Sequence, residues 1–154
     1  MTPAQRRYVV VETAISMLIN APISVAFVYL VFGSSPRIAT AALIPDAVPQ
    51  SFMIALMSTI VPTLLTRNRL RAGVIARSDG QNPELLRTLP VRALVIAVVA
   101  TIIGLAIHAI LLGNYAPHEL SFGTALIFKA CYGAILAAIV TPITLYFALA
   151  ERIP

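Results

Sequence analysis

Four long runs of apolar residues alternate with short polar interruptions, and the interruptions set the predicted elements. The first run, 9–32, follows Arg6 and Arg7 and stops at Gly33, Ser34, Ser35 and Pro36. At 1.5 Å per residue such a run reaches about 36 Å, enough to cross a hydrocarbon core of about 30 Å with some tilt. Within 35–50, Pro36, Pro45 and Pro49 surround the mildly apolar segment Ile38 to Ile44, too short to span, so the stretch is read as an interfacial loop. Asp46 is expected to cap a second helix over 49–66, with Pro49 in its first turn and Pro62 inside it. The carbonyl that Pro62 frees is assigned to the hydroxyls of Ser58, Thr59 or Thr63, or to a kink. A third run, 91–112, closes at Gly113 and Asn114, and a fourth, 122–149, contains Pro142. A cleaved signal peptide competes for the first run. Its apolar region would span only about 7 to 15 residues, without a Glu12 or an Asn20 at its heart. The pattern predicts an all-α integral membrane protein, one domain over 1–154 with four transmembrane helices and an Arg-rich loop over 67–90.

Composition agrees with that pattern. The hydrophobic set makes up 59% of the 154 residues, charged residues 11%, and the mean hydropathy is +0.91. Soluble domains are about a quarter charged, and a chain this apolar has too little polar surface to cover itself in water.

The net charge of +5 raises the question of nucleic acid. The basic residues, however, sit beside hydrophobic spans and form no stripe with interleaved aromatics, so nucleic acid is excluded as a partner. Placing the amino terminus, the 67–92 stretch and the tail on one side gathers nine arginines there and leaves Arg37 alone on the other. By the positive-inside rule both termini are cytoplasmic. Ten Arg to one Lys and abundant Ala suggest a GC-rich bacterial genome, hence a bacterial inner membrane. Arg67, Arg69, Arg71, Arg77, Arg87 and Arg92 are assigned to topology and to anionic lipid headgroups, at about 1 kcal/mol per basic residue near the surface.

A shift of eighty positions lays Gly33 on Gly113 and Pro62 on Pro142, so the chain reads as two repeated helical hairpins in parallel orientation. Apolar matches are cheap in this composition, and only the Gly and Pro coincidences separate duplication from chance.

Candidate chemistry lies on helix faces. Glu12, Ser16 and Asn20 fall on one face of the first helix, and Ala97, Thr101, Gly104 and His108 on one stripe of the third. Ala130, Ala134, Ala137 and Thr141 form a small-residue stripe on the fourth. By depth, Asn20 lies near the midplane beside Thr101 and Thr59, so a bond from Asn20 to a hydroxyl is expected. Glu12 lies about one turn inside the membrane, with Arg92, Arg67 or Arg152 as its expected partners. Lys129 is expected to snorkel to the opposite surface. His108 is nearest in depth to Lys129 and Cys131, and hydrogen bonding in the helix seam suits it better than a metal, for which no ligand spacing exists. No cofactor is implied, and one cysteine permits neither a disulfide within the chain nor a CxxC motif.

No GxSxG, HExxH, phosphate-cradling glycine loop or carboxylate pair at one depth is present, so the chain is not expected to be an enzyme. The leading expectation is an accessory or scaffolding subunit contacting other membrane chains. The competing one is a small homo-oligomeric permease or channel for an ion or small solute, with Glu12, Asn20, Thr101, His108 and Lys129 as its polar residues.

Overall fold

The computed structural model describes residues 1–78 and 88–151. Its elements in chain order are α1 (Pro3–Phe32), β1 (Arg37–Ala39), α2 (Thr40–Arg71), α3 (Leu89–Tyr115), β2 (Glu119–Ser121) and α4 (Phe122–Leu149). All four helices are long and apolar enough to cross a membrane. The architecture is that of an all-α membrane protein, with two three-residue strands that the apolar pattern did not announce.

Two boundaries differ from expectation for local reasons. α1 begins at Pro3 because Thr2 and Gln5 form a capping box: the Gln5 amide donates to Thr2 Oγ1 (3.3 Å) and the Thr2 amide to Gln5 Oε1 (2.8 Å). It ends at Gly33, whose φ of 60° suits glycine best. α2 starts at Thr40, so 40–48 is helix and not an interfacial loop, and Asp46 lies inside the helix and is not its cap. The start is held from outside the helix. Thr40 donates its amide to the His118 carbonyl (2.9 Å) and its hydroxyl to the Pro117 carbonyl, anchors that lie 77 or more positions away in sequence. Pro45, Pro49 and Pro62 are all accommodated within α2. The Thr63 hydroxyl bonds the Thr59 carbonyl, not the carbonyl freed by Pro62. At the other end, Arg67, Arg69 and Arg71 continue α2 as helix.

The strands pair antiparallel, with Arg37 opposite Ser121, Ile38 opposite Leu120 and Ala39 opposite Glu119. The Phe122 amide donates to the Pro36 carbonyl (3.1 Å), a counterpart of the Thr40 to His118 bond. This strand end is filled by Val28, Ile38, Leu43, Leu112, Leu120 and Ala125. The expected shift of eighty does not fit this register: Gly33 ends α1, whereas Gly113 lies inside α3.

α1 packs chiefly on α4, α3 on α2, and α2 on α4, while α1 and α2 touch little. The two helices of each strand-linked hairpin, α1 with α2 and α3 with α4, are thus not each other's main packing partners, and the order across the bundle is α1, α4, α2, α3. Two glycines permit the closest approaches. A Cβ on Gly133 of α4 would collide with the Ser24 hydroxyl and lie 3.0 Å from the Asn20 carbonyl of α1. A Cβ on Gly104 of α3 would collide with the hydroxyls of Tyr132 and Ser51. The buried stripe of α4 is Ala125, Lys129, Gly133, Ala137 and Thr141. Ala130 and Ala134 of the expected stripe are only half-buried, so the packed face is rotated toward Lys129 and Gly133.

Candidate functional site

A polar seam follows the buried face of α2, where Asp46, Gln50, Ser51, Ser58, Thr59, Thr63 and Thr66 are all buried. In lipid, polar groups find partners inside the bundle or remain unpaired at high cost. Here they gather in three tiers.

The tier nearest the strands holds an ion pair. Asp46 of α2 meets Lys129 of α4 at 2.8 Å, with side-chain exposures of 3% and 0%. Each lies about 9 to 10 Å from the start of its helix. Lys129 Nζ also donates to the Leu43 carbonyl (3.5 Å), and Gln50 Nε2 to the Lys129 carbonyl (3.5 Å). Ser51 spends its hydrogen on the Ala47 carbonyl, so the Tyr132 hydroxyl donates to Ser51 Oγ (2.5 Å). His108 stands edge-on to Tyr132 and Phe128, with ring centroids 4.4 and 5.2 Å away. Its Nδ1 faces the Gly104 carbonyl at 2.9 Å, which requires a proton on Nδ1.

The middle tier contains no charge. Thr141 of α4 donates to Ser16 Oγ of α1 (2.8 Å), and Thr144 of α4 donates to Thr59 Oγ1 of α2 (3.3 Å). Asn20 Nδ2 donates to the Ser16 carbonyl (2.8 Å) and to Ser58 Oγ (3.3 Å). Ser24 returns its hydroxyl to the Asn20 carbonyl (2.8 Å).

The tier nearest the termini is ionic. Arg92 of α3 is fully buried, places Nη1 2.8 Å from Glu151 Oε1 and donates from Nη2 to Thr63 Oγ1 (3.0 Å). The contact of Arg92 with Glu151 is close but not aligned as a hydrogen bond, and Arg92 Nε has no hydrogen-bond partner. Arg67 Nε donates to Glu151 Oε2 (2.6 Å). Arg69 Nη1 donates to Glu12 Oε1 (2.5 Å), and its guanidinium carbon lies 4.9 Å from the centre of the Tyr8 ring. Tyr8 in turn donates to Thr66 Oγ1 (2.8 Å), because Thr66 gives its own hydrogen to the Pro62 carbonyl. The chain after α2 crosses this end, where Gln5 Nε2 bonds the Ala76 carbonyl (2.9 Å) and the Ser78 amide the Leu149 carbonyl (2.9 Å).

Several expectations change. Glu12 pairs with Arg69, linking α1 to α2 and not α1 to α3, because α2 stays helical through Arg71. Lys129 does not snorkel; Asp46 gives it a partner inside the bundle. Asn20 bonds Ser16 and Ser58, whereas Thr101 bonds its own Ala97 carbonyl (2.7 Å) and joins no tier. His108 shares the tier of Lys129. Arg67 and Arg92 converge on Glu151, Arg71 and Arg77 are exposed, and Arg87 and Arg152 lie outside the described residues. Asp46, Gln50, Tyr132 and Glu151 are seam residues that the sequence pattern did not mark as such. The spacing of polar residues from Asp46 to Thr66 carries the signal for the α2 members, but only once 40–48 is taken as helix. Among the described residues no group of three or more His, Cys, Asp or Glu is placed to hold a metal ion.

Two lateral grooves flank the seam. The one between α3 and α4 has a volume of about 570 Å³ and apolar walls that include Val99, Ile103, Ile135 and Ile139, with the exposed Cys131 on its edge. The one between α1 and α2, about 120 Å³, has a polar floor of Glu12, Ser16, Asn20 and Ser58 under an apolar rim that includes Ile19 and Met57.

Four apolar spans around a buried polar seam define a multi-pass membrane protein. No protein-family model, curated protein or solved structure matches the chain.

Proposed function

We propose that the chain is a non-catalytic, accessory or scaffolding subunit of a bacterial inner-membrane assembly, with both termini cytoplasmic, and that the groove between α1 and α2 receives a transmembrane helix of another protein. The observation that carries this reading is the hydrogen-bond inventory of Asn20. Both its amide hydrogens are spent within the bundle, while its amide oxygen accepts from no described residue, and the side chain lines a lateral groove at mid-helix. A second copy would bring the same spent donors, so the fitting partner is a different helix carrying a Ser, Thr, Asn or Gln at that depth. Such a bond is worth about 0.6 to 2 kcal/mol in lipid. A photocrosslinker at Met57 on the groove rim, used at native expression, tests the reading. One heterologous membrane protein is expected, with its crosslink lost in Asn20→Leu. Crosslinks to self alone, or a partner unaffected by Asn20→Leu, would overturn it.

We also propose that the fold is an internal duplication, in a register different from eighty. A shift of 82 carries Ile38 onto its strand partner Leu120, and Thr40 and Pro36 onto Phe122 and His118, whose backbone bonds are exchanged. The same shift carries the buried Leu43, Ser51, Ala55, Thr59 and Thr63 of α2 onto the buried Ala125, Gly133, Ala137, Thr141 and Leu145 of α4. In the first helix of each half a shift of 84 carries Ser16, Asn20, Ser24 and Val28 onto Ala100, Gly104, His108 and Leu112, all buried. These correspondences support a pseudo-twofold relation between hairpins.

A homo-oligomeric permease for an ion or small solute is the second reading, favoured by the polar residues of α2 reaching through the bundle from Asp46 to Thr66. Solute or proton flux in liposomes, abolished by Asn20→Leu or Glu12→Gln, would select it over the subunit reading.

A further inference from the structure

The two charged tiers differ in their bookkeeping. Near the strands, one ammonium meets one carboxylate and the charge closes. Near the termini, the Arg67 and Arg92 guanidiniums share the single carboxylate of Glu151, so one positive charge is left over among these three groups. Arg69 cannot draw on that carboxylate and is matched separately by Glu12. The surplus is also a surplus of donors. Each guanidinium offers five N–H bonds in a planar fork, and Arg92 Nε, in a side chain with 0% exposure, has no acceptor among the described residues. An unpaired guanidinium hydrogen beside a net positive charge is the complement of an oxyanion.

Position defines the kind of oxyanion. Arg67 lies four residues before the end of α2, and Arg92 three after the start of α3. Both are therefore within about one turn, roughly 4 to 6 Å, of the helix ends, the depth at which a membrane presents its phosphates. Arg67 keeps 28% of its side chain exposed and so provides the way in, whereas Glu151 is 8% exposed. α3 starts at Leu89, its N-cap Thr88 makes no side-chain cap bond and its first turn holds no acidic residue, so among the described residues no carboxylate of its own first turn offsets its positive end beside Arg92.

We propose that Arg67 and Arg92, together with the uncapped start of α3, form a binding site for one phosphate-class anion, shared with the Glu151 carboxylate. The same chemistry is offered by an anionic phospholipid headgroup and by free phosphate. The inference does not depend on the subunit reading, since it concerns the opposite end of the seam from the strands and neither lateral groove.

The test uses the full-length protein purified in detergent. Native mass spectrometry follows retention of phosphatidylglycerol against phosphatidylcholine, and calorimetry follows inorganic phosphate. Arg67→Gln removes the surplus charge while leaving Arg92 with Glu151, and is expected to weaken anion binding about tenfold or more, as loss of a charge-assisted hydrogen bond does. Arg67→Lys, which keeps the charge but not the fork, is expected to fall between. Arg37→Gln, at the strand end, is expected to leave binding unchanged. Retention of phosphatidylglycerol without a phosphate signal assigns the site to a lipid headgroup, the reverse assigns it to a soluble anion, and both together show that either source fits. Absence of both signals, or equal binding in Arg67→Gln and the native chain, would overturn the proposal.

Discussion

Lys129 of α4 and Asp46 of α2 meet at 2.8 Å with neither side chain reaching the surface, so the single lysine of the chain is held inside the bundle and not at its edge. Taking one member away leaves a buried charge without a partner, which typically costs about 3 to 5 kcal/mol. Replacing both with apolar residues of similar volume removes the desolvation cost together with the attraction. Asp46→Leu and Lys129→Met are therefore each expected to lose several kcal/mol, and the double variant to return close to the native value. Denaturant or thermal unfolding in detergent reads the cycle, and a double variant as unstable as the sum of the singles would disprove the coupling.

The other two carboxylates in the seam predict a contrast. Glu151 faces the fully buried Arg92, whereas the Arg69 that serves Glu12 keeps 40% of its side chain exposed. Glu12→Gln is expected to cost at most about 1 kcal/mol, because Arg69 can turn to headgroups or water. Glu151→Gln is expected to cost about 3 kcal/mol or more, because Arg92 cannot. Similar losses for both, by the same unfolding measurement, would contradict the assigned burial.

Gly133→Ala and Gly104→Ala separate rigid from movable neighbours. At Gly133 the new methyl meets the Asn20 backbone carbonyl at 3.0 Å as well as the Ser24 hydroxyl. At Gly104 it meets only side-chain atoms of Tyr132 and Ser51, and relief requires Ser51 Oγ to turn about χ1 and the Tyr132 ring to swing as a whole, at the cost of their mutual bond. Overpacking typically costs about 1 to 3 kcal/mol, offset by about 0.5 to 1 kcal/mol of helix propensity for Ala over Gly. Gly133→Ala should fall at the costly end and Gly104→Ala closer to neutral; the reverse order in melting experiments would place the tight crossing elsewhere.

The intertwined packing predicts complementation by fragments. α1 finds its main partner in α4 and α3 in α2, so neither hairpin completes its own seam. A chain cut between Ser78 and Thr88 and produced as two separately inserted pieces is expected to co-purify as a complex, with each piece alone degraded or aggregated. Independent stability of either half would show that the contacts between halves are dispensable.

Parts of the site were legible in the sequence. The spacing of Glu12, Ser16 and Asn20 placed these three on one face, and all three are buried. The depth argument brought His108 and Lys129 to one level, where the structure also has them. Two prolines, Pro45 and Pro49, hide the first turns of α2 from a local reading. With Pro45 taken as a break and Pro49 placed in a first turn, Asp46 stands as a cap at a surface, and Lys129 without a partner points outward. The anchors that make those turns helical come from His118 and Pro117, far along the chain, so no local reading of 40–50 contains them.

By itself, then, the sequence determined that this chain carries four segments long and apolar enough to cross a membrane. That follows because transfer into lipid is decided run by run, from the hydropathy and length of each segment. Which charges meet was decided only by the tertiary structure. The choice of Asp46 for Lys129, Arg69 for Glu12 and Glu151 for Arg92 depends on α1 packing against α4, α4 against α2 and α2 against α3. That pairing is fixed by shape, at Gly133, at Gly104 and along two three-residue strands, and shape complementarity between distant segments is not a property of any one of them.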